Sequence, residues 1–286
     1  MKLVLGTRGS KLAVAQSSMV ARLVEASGDD ISVELQIIST KGDRIRDRPL
    51  REIGGKGLFT AELEEALRNG SIHLAVHSLK DLPTDDADGL MIGAVPARAD
   101  PRDVLVGCAL DDLPPGARVG TGSARREVQL RALRPDVEVV GIRGNVDTRM
   151  RKALDGEVHA VVLAEAGLAR LGVETPRHPL DPERFIPAPG QGALGIQCAW
   201  SNALVRDVLR QIEHAPTRLC VNAERAFLAR LGGGCSVPAG AWATLHKGRL
   251  RLKAMLATNG VPKVVELEGG PEDAVALGEE AADQLT

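Results

Sequence analysis

Short runs of apolar residues alternate with helically spaced stretches along the first two-thirds of the chain. Residues 2–6 read as a strand, and 11–25 as a helix whose apolar positions are Leu12, Ala15, Met19 and Leu23. Residues 31–39 alternate as a strand, and 58–68 form a helix stopped by Asn69-Gly70. Residues 72–76 and 91–95 are buried strands. A second set starts near Pro101, with strands at 104–107 and 118–120 and a helix at 124–133 that ends before Pro135. A strand at 137–142, a helix at 148–154 and a strand at 160–163 follow. This alternation predicts βαβ units and mostly parallel sheets.

The pattern changes after Pro187-Ala188-Pro189-Gly190-Gln191-Gly192, which reads as a linker. A short apolar strand at 193–198 comes next, and Ala215-Pro216 closes a helical stretch. A helix over 217–231 leads to a glycine-flanked cysteine, Gly232-Gly233-Gly234-Cys235-Ser236-Val237-Pro238. Strands at 239–245, 249–258 and 261–268 and a terminal helix from Pro271 make a small α+β unit. The polar stretch 41–51 and Gly55-Lys56-Gly57 read as a mobile loop. The expected organisation is therefore a discontinuous first α/β domain (1–95 with 192–214), a second α/β domain (98–188) and a third α+β domain (216–286).

An internal echo marks the two α/β sets. Gly6-Thr7-Arg8-Gly9-Ser10 and Gly120-Thr121-Gly122-Ser123 each follow a strand and open a helix. An N-cap is the simpler reading of either one alone. Two of them, each with arginine close by, point to paired anion-binding loops facing a shared cleft, because free N–H groups and the helix dipole favour anions there. Open α/β sheets bind ligands at the carboxyl ends of their strands, where both loops fall.

Composition narrows the choice. Net charge is −2, and aromatic residues make up 2% of the chain with no tyrosine. There is neither a basic field nor a stacking platform for nucleic acid. No apolar run approaches the ~20 residues of a membrane span, and the start of the chain reads as strand and turn rather than a secretion signal. Of the 36 basic side chains 27 are arginine, the planar fork suited to carboxylate and phosphate. The four cysteines, at positions 108, 198, 220 and 235, have neither metal-ligand spacing nor a disulfide framework, so no metal and a reducing, cytoplasmic setting are expected.

Cys108, Cys198 and Cys220 sit in or beside apolar stretches and read as packed thiols. Cys235 does not: its glycines allow close backbone approach, and nearby cations would favour its thiolate, so it reads as a nucleophile or covalent anchor. Val76-His77-Ser78-Leu79-Lys80-Asp81-Leu82-Pro83 ends a buried strand with a lysine beside an acid. There Asp81 is suited to proton transfer and to stabilising developing positive charge, and Lys80 to holding a carboxylate. His77 reads as a packed residue.

Taken in order, these blocks resemble the porphobilinogen deaminase (hydroxymethylbilane synthase) family over nearly the whole length. The matching stretches include Gly6-Thr7-Arg8-Gly9-Ser10, Thr40-Lys41-Gly42-Asp43, Gly54-Gly55-Lys56-Gly57-Leu58-Phe59, residues 75–83 and Asp100-Pro101-Arg102-Asp103. Ser123-Ala124-Arg125-Arg126, Arg143-Gly144-Asn145-Val146, Pro189-Gly190-Gln191-Gly192 and Gly233-Gly234-Cys235 complete them. The resemblance implies two α/β domains like those of a periplasmic binding protein and a third carrying the cysteine. It implies a cytoplasmic monomer that condenses four porphobilinogen molecules into linear hydroxymethylbilane, releasing ammonia each time. It also implies a dipyrromethane cofactor joined to Cys235 through a thioether, with Asp81 as the catalytic acid that assists amine departure and then stabilises the cationic azafulvene.

Further positions carry over from the family. Cofactor contacts fall on Lys80, Asp81, Ser10, Thr121, Ser123, Arg125, Arg126, Arg143 and Gly144. Substrate contacts fall on Arg8, Ser10, Phe59, Arg143, Arg149, Arg170 and Gln191. The residues themselves agree with this carry-over, since each pyrrole unit brings an acetate and a propionate and so calls for several arginine forks. Gly122 and Ala124 depart from the family pattern, and Glu165 adds a negative charge near a helix start. The chain also stops soon after its terminal helix. Two other readings compete: a non-enzymatic two-lobed anion-binding module using the same arginines, and an enzyme using Cys235 as a transient nucleophile. A transcription factor is excluded by the absence of basic surplus and of a recognition motif.

Overall fold

The computed structural model of the protein describes residues 1–44, 60–233 and 237–286. They form two compact units, residues 1–98 with 193–218 and residues 99–192 with 219–286.

The first unit opens with β1 (Lys2–Thr7), α1 (Lys11–Glu25) and β2 (Ser32–Ile37). A single helical turn at Lys41–Arg44 replaces the start of the expected loop. Then come α2 (Ala61–Arg68), β3 (Leu74–Ser78) and β4 (Leu90–Ala94). The second unit follows with β5 (Asp103–Val106), β6 (Arg118–Gly120), α3 (Ala124–Leu133), β7 (Glu138–Val140), α4 (Val146–Leu154), β8 (Ala160–Ala164), α5 (Glu165–Arg170) and β9 (Arg177–Pro179). The chain returns to the first unit with β10 (Leu194–Ala199) and α6 (Ala203–Gln211). It ends with α7 (Ala215–Arg230), β11 (Ala239–His246), β12 (Arg249–Thr258), β13 (Val261–Gly269) and α8 (Ala274–Leu285).

The two large sheets share one plan. The first runs β2-β1-β3-β10-β4 and the second β7-β6-β8-β5-β9. In each, three parallel strands are joined by a fourth and fifth through antiparallel pairing. Four of the five strands in each sheet therefore run in one direction, as the mostly parallel expectation has it, and only β10 in the first sheet and β5 in the second are reversed. The reason is topological: β5 and β10 each follow a crossing between units, so no βαβ connection sets their direction. The third sheet, β11-β12-β13, is antiparallel throughout.

Both faces of each large sheet are covered. Leu3, Leu5, Val76 and Ile196 pack against Val20 and Val24 of α1 and against Val205 and Leu209 of α6, while Leu63 and Leu67 of α2 pack with Ile72 and Ala75. In the second sheet, Leu105, Val119 and Val162 pack with Leu130 and Phe185, and Val104, Val106, Val161 and Leu163 pack with Ile142 and Leu168. The alternation of neighbours between clusters is the period-two signature of strands buried on both faces. Phe227, Leu252 and Leu277 centre the core under the third sheet.

Two local expectations are corrected. The buried face of α1 is Gln16, Ser17, Val20, Ala21 and Val24, whereas Met19 and Leu23 are exposed. Ala215-Pro216 begins α7 instead of closing a helix, since proline lacks only a donor that the first turn leaves unbonded anyway.

The third sheet is fastened to the second within its unit. Glu183 takes both arms of Arg251 (2.6 and 2.8 Å) and the Lys253 ammonium (2.7 Å), and Arg251 also forks onto Glu266. Ile186, Met255 and Ala257, with Val128 and Trp242, form an apolar patch beside this network. The hydrogen bonds from Arg251 and Lys253 hold the Glu183 carboxyl at about 2, below the usual carboxylate range.

Candidate functional site: the carboxyl edges of the two sheets

β1 and β3 are parallel neighbours with Leu5 opposite Leu74, so their carboxyl ends share one edge. That edge carries Arg8 and Ser10 after β1, and Lys80 and Asp81 after β3. Ser10 caps α1, its Oγ accepting the Ala13 N–H at 3.2 Å. Arg8 is half-buried.

After β3 the chain makes a single 3-10 turn, Leu79–Asp81, pinned by the Leu79 N–H to the Ala193 carbonyl at 3.0 Å. Leu79 is buried beneath the turn, which turns Lys80 and Asp81 outward, the first half-buried and the second exposed. The Asp81 carboxylate makes no hydrogen bond or ion pair with the described residues. His77 lies inside the same edge, with Nε2 3.1 Å from Gln197 Oε1. Burial, helped by the charge of Arg8, lowers its pKa to about 4 against the opposing Gln197 bond. It is a neutral packed histidine, as its sequence context indicated.

In the second unit β6, β7 and β8 are parallel, and their carboxyl ends carry the remaining candidates. Thr121 Oγ1 accepts the Ser123 N–H at 3.2 Å, and Ser123 caps α3. The cap aims the first turn of α3 so that Arg125 and Arg126 point into the unit, where both are buried.

Asp103, fully buried at the start of β5, sits between them. Arg125 Nη2 forms an ion pair with its Oδ2 at 2.8 Å, while Arg126 forks onto Oδ1 through Nε (3.0 Å) and Nη2 (2.7 Å). Gln191 Nε2 donates to the same Oδ1 at 3.0 Å and to the Pro101 carbonyl at 2.7 Å. Carbonyls complete the cluster: Ile186 O accepts from Arg125 Nη1 (2.6 Å), and Val162 O from Arg126 Nη1 (2.8 Å). Burial lowers the pKa of Arg125, with Asp103 opposing the effect and Arg126 adding to it.

The other arginines differ. Arg143 is exposed after β7. Gly144 follows with φ +108°, where an added Cβ would lie 2.7 Å from Thr148. Arg149 Nε donates to the Gly144 carbonyl at 2.7 Å, folding its guanidinium back over the loop, and Asn145 caps α4. Arg170, on α5, donates from Nη2 to the Gly192 carbonyl at 2.6 Å, while its buried Nε has no partner among the described residues. Burial alone draws the Arg170 pKa down to about 10. Glu165, at the start of the same helix, is engaged by both arms of Arg177 at 2.7 Å.

The structure thus gathers Arg8, Ser10, Lys80 and Asp81 on one carboxyl edge. It gathers Thr121, Ser123, Arg125, Arg126, Arg143, Gly144, Arg149, Arg170 and Gln191 on the other. Cys235 and Phe59 lie outside the described residues. Two acids were not singled out from sequence. Asp103 is one. The other is Glu224 on α7, whose carboxylate is fully buried and accepts the Gly190 N–H (2.7 Å) and the Ala243 N–H (2.8 Å). Asp103 lies in a quoted family block, but no periodicity marks a lone acid at a strand start as buried. Glu224 carries no signal at all.

Among the described residues no group of His, Cys, Asp and Glu could hold a metal ion, and no helix is long and apolar enough to cross a membrane. A dipyrromethane bearing several carboxylates fits the second edge chemically: two guanidiniums share one carboxylate, and a third is buried with an unsatisfied donor.

Known proteins agree with this chemistry. Residues 3–207 match the family model described as "Porphobilinogen deaminase, dipyromethane cofactor binding domain", and residues 218–286 match "Porphobilinogen deaminase, C-terminal domain". The porphobilinogen deaminase of Nitratidesulfovibrio vulgaris (strain Hildenborough) is 49% identical over 99% of this chain and 92% of its own. That of Roseiflexus sp. (strain RS-1) is 48% identical over 99% and 95%, and that of Sorangium cellulosum 52% over 90% and 87%. Among solved structures, the periplasmic aliphatic sulphonate binding protein SsuA of Escherichia coli aligns at 13% identity and a TM-score of 0.42, covering 99% of this chain and 86% of its own, a likeness too distant to bear on function. Two family models that together span nearly the whole chain, and relatives near half identity along it, place the chain in the porphobilinogen deaminase family.

Proposed function

We propose that the protein is the hydroxymethylbilane synthase of tetrapyrrole biosynthesis, a transferase that joins four porphobilinogen molecules head to tail as a cytoplasmic monomer. The observation that carries this reading is the segregation of roles along the carboxyl edges. Cationic side chains collect there, and Asp81 stands out as an exposed carboxylate without a partner among the described residues.

Arg8, Arg143, Arg149 and Arg170 hold the acetate and propionate groups of the pyrroles, with Lys80 beside them. The Gly144 and Gly192 carbonyls hold the Arg149 and Arg170 guanidiniums, so these two lose little side-chain freedom on binding. Cys235 anchors the dipyrromethane through a thioether. When bound, that group supplies a primer with a nucleophilic pyrrole α-carbon.

At each joint the C–N bond of the aminomethyl group breaks and ammonia leaves. A C–C bond forms, and the α-carbon proton is released. Asp81 acts on both sides of this exchange. Its carboxyl hands a proton to the departing amine, and its carboxylate then faces the pyrrole N–H of the resulting cation and lowers its energy. Asp81 can then accept the proton released when aromaticity returns.

The test is the intact mass of the denatured purified protein, followed by peptide mapping. A dipyrromethane increment on the peptide containing Cys235 is expected. Protein without it is then incubated with porphobilinogen and measured again. Absence of the increment after that treatment, with no consumption of porphobilinogen, would overturn the reading.

A further inference from the structure

We propose that Asp103 is a positioning residue for this reaction: it holds Arg125, Arg126 and Gln191 as one unit and sets the charge they present. The inference rests on the function proposed above and extends it to an acid that is fully buried.

Three observations carry it. The first is geometric. One carboxylate joins four donor atoms from three residues, at 2.7 to 3.0 Å, and these residues come from α3 and from the Gly190-Gln191-Gly192 segment. Without that hub, two guanidiniums and an amide would have no common reference point. Backbone carbonyls of Ile186 and Val162 steady only the outer nitrogens.

The second is electrostatic. Arg125 and Arg126 are 4% and 6% exposed and Asp103 0%, so water screens the cluster little. Two guanidiniums facing each other there would repel, and the carboxylate cancels half of their charge. A single net positive charge remains. That surplus matches one ligand carboxylate. A neutral cluster would bind none, and a doubly positive one would not stay closed.

The third is topological. Asp103 starts β5 and is paired with Ala164, the last residue of β8. The carboxylate is therefore placed at the carboxyl edge by strand register, which is a stiffer mounting than a loop. Gln191 lies between two other fixed points, the Gly190 N–H on Glu224 and the Gly192 carbonyl on Arg170. The cluster is thus locked to the segment that leads back to the first unit.

A double-mutant cycle on the cofactor-loaded enzyme tests the assignment, with rates normalised to the covalently loaded fraction determined by intact mass. Asp103→Asn is expected to lower kcat about a hundredfold, the scale of an ångström of misplacement. In an Arg126→Gln background the same change should add less than about threefold, because the guanidinium it positions is gone. Full multiplication of the two effects would overturn the proposal. So would wild-type kcat per loaded enzyme in Asp103→Asn accompanied only by a lower melting temperature, the mark of a purely structural acid.

Should Asp103→Asn fail to fold, Gln191→Ala replaces it, since it removes one uncharged donor from the hub and leaves both arginine–carboxylate pairs in place. A severalfold loss of kcat that shrinks in the Arg126→Gln background is expected, and a loss of the same size in both backgrounds overturns the proposal. Failure of the functional reading would look different, because wild-type protein would then neither carry the dipyrromethane increment nor consume porphobilinogen.

Discussion

Acidification from about pH 7.5 to about pH 4.5 tests the electrostatics of the first carboxyl edge through His77. Its imidazole is 7% exposed, it is bonded to Gln197, and Arg8 adds positive charge nearby. In the unfolded chain the group titrates near 6.5, and in the folded protein near 4, with burial the main cause. Because the folded pKa is depressed, the unfolded state binds a proton first as the pH falls. The stability His77 contributes is therefore complete above about pH 6.5 and is lost progressively down to about pH 4. A difference of about 2.5 pKa units at 1.36 kcal/mol each amounts to about 3 kcal/mol. The assay is urea denaturation at a series of pH values for wild type and His77→Gln. The variant keeps an amide for Gln197 but cannot charge. Its absolute stability is immaterial, because only the difference in slope is read. Because pH 4.5 is still above the folded pKa, the wild type should lose about 2.5 kcal/mol more than the variant across this window. Parallel profiles would refute the buried, neutral histidine and the electrostatic account of this edge.

Four other outcomes are expected. Asp81→Asn should retain the cofactor mass yet lose about 10²–10³ in turnover, as when one transition-state partner is removed; near-wild-type rates would remove Asp81 from the chemistry. Gly192→Ala should destabilise by about 2 kcal/mol or more in chemical denaturation, because φ is +86° and the new Cβ would lie 2.5 Å from the Ala99 carbonyl oxygen; unchanged stability would contradict that close approach. Glu224→Gln places an amide donor against one of two buried N–H groups and should lower stability by about 1–3 kcal/mol, read by thermal unfolding; no measurable change would count against the two hydrogen bonds. Glu183 is held near 2 by Arg251 and Lys253, so its contribution is present above about pH 4.3 and fades as the pH falls toward about 2; Glu183→Gln should flatten that acid limb, and an unaltered limb would mean that the network does not couple to folding.

Local physics makes much of this protein legible along the chain. Ser10 and Ser123 mark helix starts because an uncoupled N–H needs an acceptor, and both serve as caps. The strands at 118–120 and 249–258 and the helices at 11–25 and 124–133 are found at the expected residues, since apolar period and stop signals act over a few neighbours. The segregation of arginines and Asp81 to strand ends is also visible there, because loops after parallel strands must emerge at one edge.

Long-range packing settles matters of a different kind. Helix α1 carries apolar residues on two faces, and only the sheet beneath it selects Val20 and Val24 over Met19 and Leu23. The direction of β5 and β10 depends on a crossing of the chain that no local pattern encodes. The arginines look alike in sequence, yet Arg125 and Arg126 are buried on Asp103, Arg143 is exposed and Arg170 buries a donor with no partner among the described residues. Burial and charge pairing are sums over neighbours distant in the chain. The order of residues therefore specifies which side-chain types stand at the carboxyl edges, and the packing of β5 between β8 and β9 selects which of them share a carboxylate.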